Sequence, residues 1–103
     1  MYQLSFYVPK DHLEIVKEAV FKAGGGRLGN YDYCCFEYEG LGQFRPLEGS
    51  KAFIGTINLI EKVREVKIEM AVADQYLEEV IRALKNSHPY ETPAYFVLKA
   101  QDI

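Results

Sequence analysis

The 103-residue chain has no tryptophan, two cysteines and four prolines, and it carries little excess of either charge: 12 Lys and Arg stand against 15 Asp and Glu, a net charge of −3. Each shortage excludes something. Two adjacent cysteines, Cys34 and Cys35, cannot staple a disulfide framework, so the composition points to a reducing, cytoplasmic setting. Residues 1–52 hold six basic and seven acidic side chains and residues 53–103 six and eight, so no segment has the cationic excess that a phosphate backbone demands, and nucleic acid is not an expected partner. Uninterrupted apolar stretches reach only four or five residues, as in Ala94 to Leu98. The amino terminus, Met1-Tyr2-Gln3-Leu4-Ser5, places no basic segment ahead of a long apolar one. Neither a membrane span nor a signal peptide is expected.

What is present describes one small domain over residues 1–103: 49% of residues are hydrophobic and 14% aromatic. A chain of this length buries about 65% of its unfolded surface, which suffices for one core and not two. Tyr2, Leu4, Phe6 and Val8 alternate with Gln3, Ser5 and Tyr7, predicting a half-buried first strand closed by Pro9. Asp11 and Glu14 have the spacing of a capping box, and Leu13, Val16, Val20 and Ala23 share a helical face, predicting a helix to about Ala23 that Gly24-Gly25-Gly26 stops. The aromatic segment from Leu28 to Glu39 predicts one long second strand. Val66, Ile68, Met70 and Val72 predict a third, beginning after Glu61. Asp74 is positioned to cap a second helix containing Leu77, Val80, Ile81 and Leu84, and a last strand is expected over Tyr90 to Lys99.

This βαββαβ order predicts an α+β, ferredoxin-like sandwich: a four-stranded antiparallel sheet in the order 4-1-3-2, with both helices on one face. Pro93, at the start of an edge strand, agrees with that order. About 21 residues, Gly40 to Ile60, separate strands two and three, where a hairpin needs two to five, so a packed flap is expected there.

Gly24-x-Gly26-x-x-Gly29 matches the dinucleotide fingerprint in letters only. That motif needs a strand before the glycines and a helix after them, and here the order is reversed, which favours helix termination. Cys34 and Cys35 point to opposite faces if extended, so they read first as two small buried hydrophobes, with a single ligand or nucleophile as the alternative. His12, one residue past the expected helix cap, reads as an exposed first-turn residue.

Ser87-His88-Pro89-Tyr90-Glu91-Thr92-Pro93 concentrates an imidazole, a phenol and a carboxylate at a stiff helix-to-strand junction. Two readings stand: a preorganised binding site, or prolines that set chain direction while His88 caps the helix and Glu91 is solvated. The topology makes the flap and this junction neighbours, so Lys10, Gln43, Arg45 and Glu48 could approach His88, Tyr90 and Glu91. Gly29-Asn30-Tyr31 lies at the other end of the sheet and could join them only across a subunit boundary.

Gly29-Asn30-Tyr31, Cys34 and Phe36, Gly40-x-Gly42-x-Phe44-x-Pro46-x-x-Gly49, and His88-Pro89-Tyr90-Glu91-x-Pro93-Ala94-Tyr95 together resemble the inserted domain of the Nif-three-like proteins over nearly the whole chain. That insert is similar in fold to the CutA and PII signalling proteins, trimers with a long flap between strands two and three, so the resemblance implies a homo-oligomer, with a trimer favoured. The family's two-metal site lies in flanking domains and does not carry over to this segment. Tyr33 and Phe53 stand where histidines are common in the pattern, which weakens a histidine-rich metal site.

The expected function is therefore a non-enzymatic, oligomeric binding or regulatory domain. Its small-molecule site would use His88, Tyr90, Glu91, Phe44 and Arg45, with Asn30 and Tyr31 from a neighbouring copy. A divalent metal ion is a candidate cofactor, on His88, Glu91 and Cys34. The alternatives are a small enzyme, with His88 as acid or base oriented by Glu91 and Cys34 as nucleophile, and a protein interaction module using the flap. The last strand, apolar on both faces at an expected sheet edge, supports an oligomer in its own right.

Overall fold

The period-two alternation of the first strand becomes a physical division of the sheet into two faces. The structure, a computed structural model, describes residues 1–101. Strand β1 (Tyr2–Pro9) leads through a single 3₁₀ turn (Lys10–His12) into helix α1 (Leu13–Lys22). Strands β2 (Phe36–Phe44) and β3 (Glu61–Val72) follow, then a second 3₁₀ turn (Asp74–Tyr76), helix α2 (Leu77–Ser87) and strand β4 (Tyr95–Lys99). The sheet order is β2-β3-β1-β4 and every neighbouring pair is antiparallel. This is the expected ferredoxin-like α+β sandwich.

Leu4, Phe6 and Val8 of β1 and Val66, Ile68, Met70 and Val72 of β3 point to the helices. They meet Leu13, Val16, Val20 and Phe21 of α1 and Val80 and Leu84 of α2 in one core. Each such side chain contributes roughly 1.5–3 kcal/mol by leaving water. The opposite face is open: the register places Phe36 and Tyr38 of β2, Lys67 and Glu69 of β3, Ser5 and Tyr7 of β1, and Phe96 and Leu98 of β4 on it. β3 outruns its inner neighbour, because β1 pairs with it only from Glu65 to Val72. Glu61–Arg64 therefore overhang, held by β2 alone.

Four expectations are corrected. The second strand does not begin at Leu28: Leu28 and Tyr31 exchange two backbone hydrogen bonds of 2.9 Å around the Gly29-Asn30 turn, and Tyr33 takes φ 56°, which no strand accommodates. Tyr33 instead stacks on Phe21 at 4.6 Å and donates its hydroxyl to Glu18 at 2.9 Å. Tyr33 thus covers the end of α1, and β2 runs on to Phe44 because the long β3 offers it partners. The last strand starts at Tyr95 rather than Tyr90, with Pro93 in the preceding loop, since Tyr90 and Glu91 are engaged elsewhere. No side-chain cap forms at Asp11 or Asp74, because each helix is entered through a 3₁₀ turn. Asp74 accepts the amino terminus at 2.6 Å and Lys99 at 3.2 Å instead. Finally, Cys34 is half-buried and Cys35 exposed, outside any strand, so they are not a buried pair.

The glycines after α1 do end it, and Gly26 does more. At φ 73° it donates to Ala71 and accepts from Cys34, both at 2.8 Å, which fastens the connection to β3, and a Cβ there would lie 2.6 Å from the Cys34 carbonyl oxygen. Gly26→Ala is expected to cost about 2–3 kcal/mol in thermal or urea denaturation, whereas Gly40→Ala, in open space, should change stability by no more than about 0.5 kcal/mol.

Candidate functional site

Helix α2 ends where His88 turns extended (φ −74°, ψ 137°), as a residue before proline prefers, while its backbone N–H still closes on Leu84. The side chain turns inward and is 7% exposed. Its Nε2 lies 2.6 Å from the Tyr7 carbonyl oxygen on β1, so this nitrogen carries the proton and donates. Its Nδ1 accepts the Tyr90 N–H at 3.1 Å. Burial holds the imidazole below its usual pKa, the Tyr7 carbonyl opposing, so the neutral form is favoured. With both nitrogens engaged, His88 has no lone pair for a metal, no free base for a substrate, and no contact with the helix carbonyls it was expected to cap. It sets the position of Tyr90.

Tyr90 is the hub of what lies beyond. Its ring packs 4.9 Å from His88, 6.0 Å from Phe44 at the end of β2 and 6.3 Å from Phe53 in the flap. Phe53 meets His12 edge-on at 5.4 Å, so His12 packs under the flap rather than standing in water as expected, and its Nδ1 is buried without a partner. The flap is tied to the 89–94 segment by the Lys51 N–H, which donates to Glu91 at 3.1 Å. It folds on itself through Asn58 N–H to the Pro46 carbonyl at 2.7 Å.

Between flap, junction and the open sheet face lies a cavity of about 440 Å³. Phe44, Phe53, Tyr90 and Phe96 give it aromatic walls, Pro46 and Ile54 add apolar surface, and Glu65, Glu91, Ser50 and Thr92 bring polar groups. Glu65 is half-buried, and its carboxylate lies against the Cα of Gly42, where any Cβ would collide with it. Burial pushes the Glu65 carboxyl up, the Tyr90 phenol opposing. The Tyr90 hydroxyl faces that carboxyl without closing a well-formed hydrogen bond, and burial and the nearby Glu65 charge push the phenol pKa upward. The hydroxyls of Tyr90 and Ser50 are both buried and unpartnered. A buried polar group without a partner costs about 1–3 kcal/mol, and these two lie in the wall of the same cavity.

Of the seven expected ligand residues, Phe44, Tyr90 and Glu91 line the cavity and His88 stands behind it. Arg45 is exposed just outside the lining. Lys10 is also drawn elsewhere, to Glu39 at 2.7 Å. Asn30 and Tyr31 sit in the exposed turn beyond the far end of β2, Tyr31 being 75% exposed, and do not reach the cavity within one chain. Cys34 is also at that far end, beside Cys35, Met1 and Ala100. Its thiol donates to the Asp32 carbonyl at 3.5 Å, and burial raises the Cys35 thiol above its usual value, so neither His88 nor Glu91 activates a thiol here. Among the described residues no three His, Cys, Asp or Glu side chains come together to hold a metal, so the His88, Glu91 and Cys34 set does not fit one. Glu65, Tyr7, Ser50 and Phe96 were missed. The signal for Glu65 was present in Gly42, a glycine within a strand, which opens space for a side chain of the neighbouring strand.

No family model matches the chain. It is 45% identical over 95 residues to a protein of Halalkalibacterium halodurans named GTP cyclohydrolase 1 type 2 homolog, covering 92% of this chain and 26% of that protein. The Bacillus subtilis protein of the same name is 44% identical over 93 residues, covering 90% and 25%. Among solved structures, a Bacillus cereus protein related to NIF3 superposes with a TM-score of 0.84 at 37% identity, over 98% of this chain and 26% of its own. CutA1 of Pyrococcus horikoshii superposes at 0.71 over 100% of this chain and 86% of its own, with 21% identity, a likeness of fold. The chain thus spans about a quarter of the length of the relatives it matches in sequence.

Because native His88 resists protonation, the unfolded chain takes up the proton first as pH falls. The stability this group contributes is full above about pH 6.5 and declines from there down through its lower native pKa. Melting temperatures measured from pH 8 to pH 5 should fall more steeply for the wild type than for His88→Gln; equal slopes would mean that the ring is not held neutral.

Proposed function

The chain belongs to the Nif-three-like family through this one domain, and we propose that the domain is a non-enzymatic, oligomeric small-molecule-binding and regulatory unit whose ligand occupies the cavity between the flap and the His88 to Ala94 junction. The observation that carries this reading is the pair of buried hydroxyls without a well-formed hydrogen bond, Tyr90 and Ser50, in a wall that Phe44, Phe53 and Phe96 share. Catalysis finds less support. His88 is sealed on both nitrogens, and Glu91 spends one oxygen on the Lys51 N–H. The relatives' name refers to GTP cyclohydrolase chemistry, and the match covers about a quarter of those proteins.

The assembly reading rests on two unpaired edges, β2 and β4, and on Phe36, Tyr38, Phe96 and Leu98 exposed on one face of the sheet. An edge of one copy pairing with the opposite edge of the next closes a ring, and three copies is the number that the family resemblance implies. Such a ring would bring the exposed Asn30 and Tyr31 of one copy toward the neighbouring copy. No helix among the described residues is long and apolar enough to cross a membrane. The two free thiols, one of them exposed, fit a reducing compartment such as the cytoplasm.

Sedimentation should give a species about three times the 11.8 kDa chain mass at micromolar concentration, shifted toward monomer by Leu98→Glu. A wild type that is monomeric there would end the ring reading. Tyr90→Phe should leave stability within about 0.5 kcal/mol of wild type or raise it, since it removes a hydroxyl that has no partner. In a thermal-shift screen of small aromatic metabolites, ligands that stabilise the wild type should stabilise Tyr90→Phe less. A screen without any stabilising compound would count against the binding role.

A further inference from the structure

The chemistry of the cavity wall limits what can enter it, and the inference below rests on reading that cavity as a ligand site. Phe44, Phe53, Tyr90 and Phe96 present ring faces and edges, and ring faces carry the negative end of the aromatic quadrupole. The carboxylates in the wall are Glu65 and Glu91, and among the described residues no lysine, arginine or histidine lines the space. Glu91 is partly satisfied by the Lys51 N–H, but no cation among the described residues pairs with Glu65, which lies half-buried over Gly42. Negative charge is therefore built into the wall, and nothing in the wall balances it. A phosphate or carboxylate entering here would meet two carboxylates at short range, Glu65 half-buried and Glu91 exposed, and like charges repel.

The volume, about 440 Å³, lies in the range of small-molecule sites and admits a flat ring system with short substituents. A planar ring would pack between Phe44, Phe53 and Phe96. An N–H group on its edge would give the Glu65 carboxylate a charged donor in addition to the Tyr90 phenol that faces it, and would leave Ser50 to accept or donate at the rim. We propose that the cavity takes a planar aromatic or heteroaromatic molecule bearing N–H donors and a positive charge, of the amidine or protonated amino-heterocycle class, with Glu65 as its anionic partner, and that it rejects phosphate and carboxylate ligands. On this reading a nucleoside triphosphate is not the occupant of this cavity.

Three probes of nearly identical shape separate the possibilities: benzamidine, benzamide and benzoate, titrated into isotope-labelled protein in its native assembly and followed by amide chemical shifts. Benzamidine is expected to move the resonances of Gly42, Phe44 and Tyr90 and to bind at least tenfold tighter than benzamide, with benzoate leaving them unmoved. Glu65→Gln should erase the advantage of benzamidine over benzamide. Gly42→Ala, which displaces the Glu65 carboxylate, should do the same by a second route should Glu65→Gln fail to fold. Benzoate binding as well as benzamidine, or a preference that survives both substitutions, would overturn the ligand class while leaving the cavity a binding site. If none of the three probes moves these resonances, the ligand class and the binding role fall together.

Discussion

The His88 imidazole, stretched between the Tyr7 carbonyl and the Tyr90 N–H, is the constraint on which the rest of the site depends. One ring joins the middle of the sheet to the segment that leaves α2, and it does so only as the neutral tautomer with its proton on Nε2. From that bridge the order extends outward. Tyr90 is fixed, Phe44 and Phe53 pack around it, and the flap gains a surface to fold against. The flap needs that surface, because Leu47, Phe53, Ile57, Leu59 and Ile60 stay largely exposed and offset little of the entropy of ordering it. Histidine suits the position since it can donate on one side and accept on the other with a rigid ring between.

The cavity is maintained against stability. Two hydroxyls are buried without partners, a carboxyl is held in a poorly solvated place over a glycine, and aromatic walls face a space that close packing would have filled. The core beneath the sheet shows the opposite economy, with ten side chains sealed completely and no polar group among them. Leaving cavity groups unsatisfied is tolerable because that core supplies the stability, and the two regions lie on opposite faces of the same four strands.

The open face and the two free edges connect the single domain to a larger unit. β2 is exposed along nearly its whole length and β4 is short and apolar on its open side, so the sheet is complete in hydrogen bonding only at its centre. In relatives about four times as long, the matched quarter carries the same fold, shown by the Bacillus cereus superposition. The strand overhang at Glu61–Arg64 and the flap beyond it are what set the elongated shape, 46 by 24 by 24 Å, apart from a minimal sandwich.

Alternating Leu4, Phe6 and Val8, the helical faces of Val16 and Val20 and of Val80 and Leu84, and the spacing of the turns determined the sandwich and its strand order from sequence alone, because periodicity reports directly which side of an element is dry. The junction at His88 and the flap were legible as neighbours for the same reason, since topology follows from element order. Local pattern failed where distant partners decided the outcome. Tyr33 lies flat on Phe21 instead of in a strand, β2 extends to Phe44 because β3 is there to pair with it, and Tyr90 leaves β4 because His88 holds it. Only the tertiary structure turned His88 from a candidate ligand into a bridge and brought Glu65 into the site, because hydrogen-bond saturation and burial depend on which groups meet across the fold, and spacing along the chain carries no record of that.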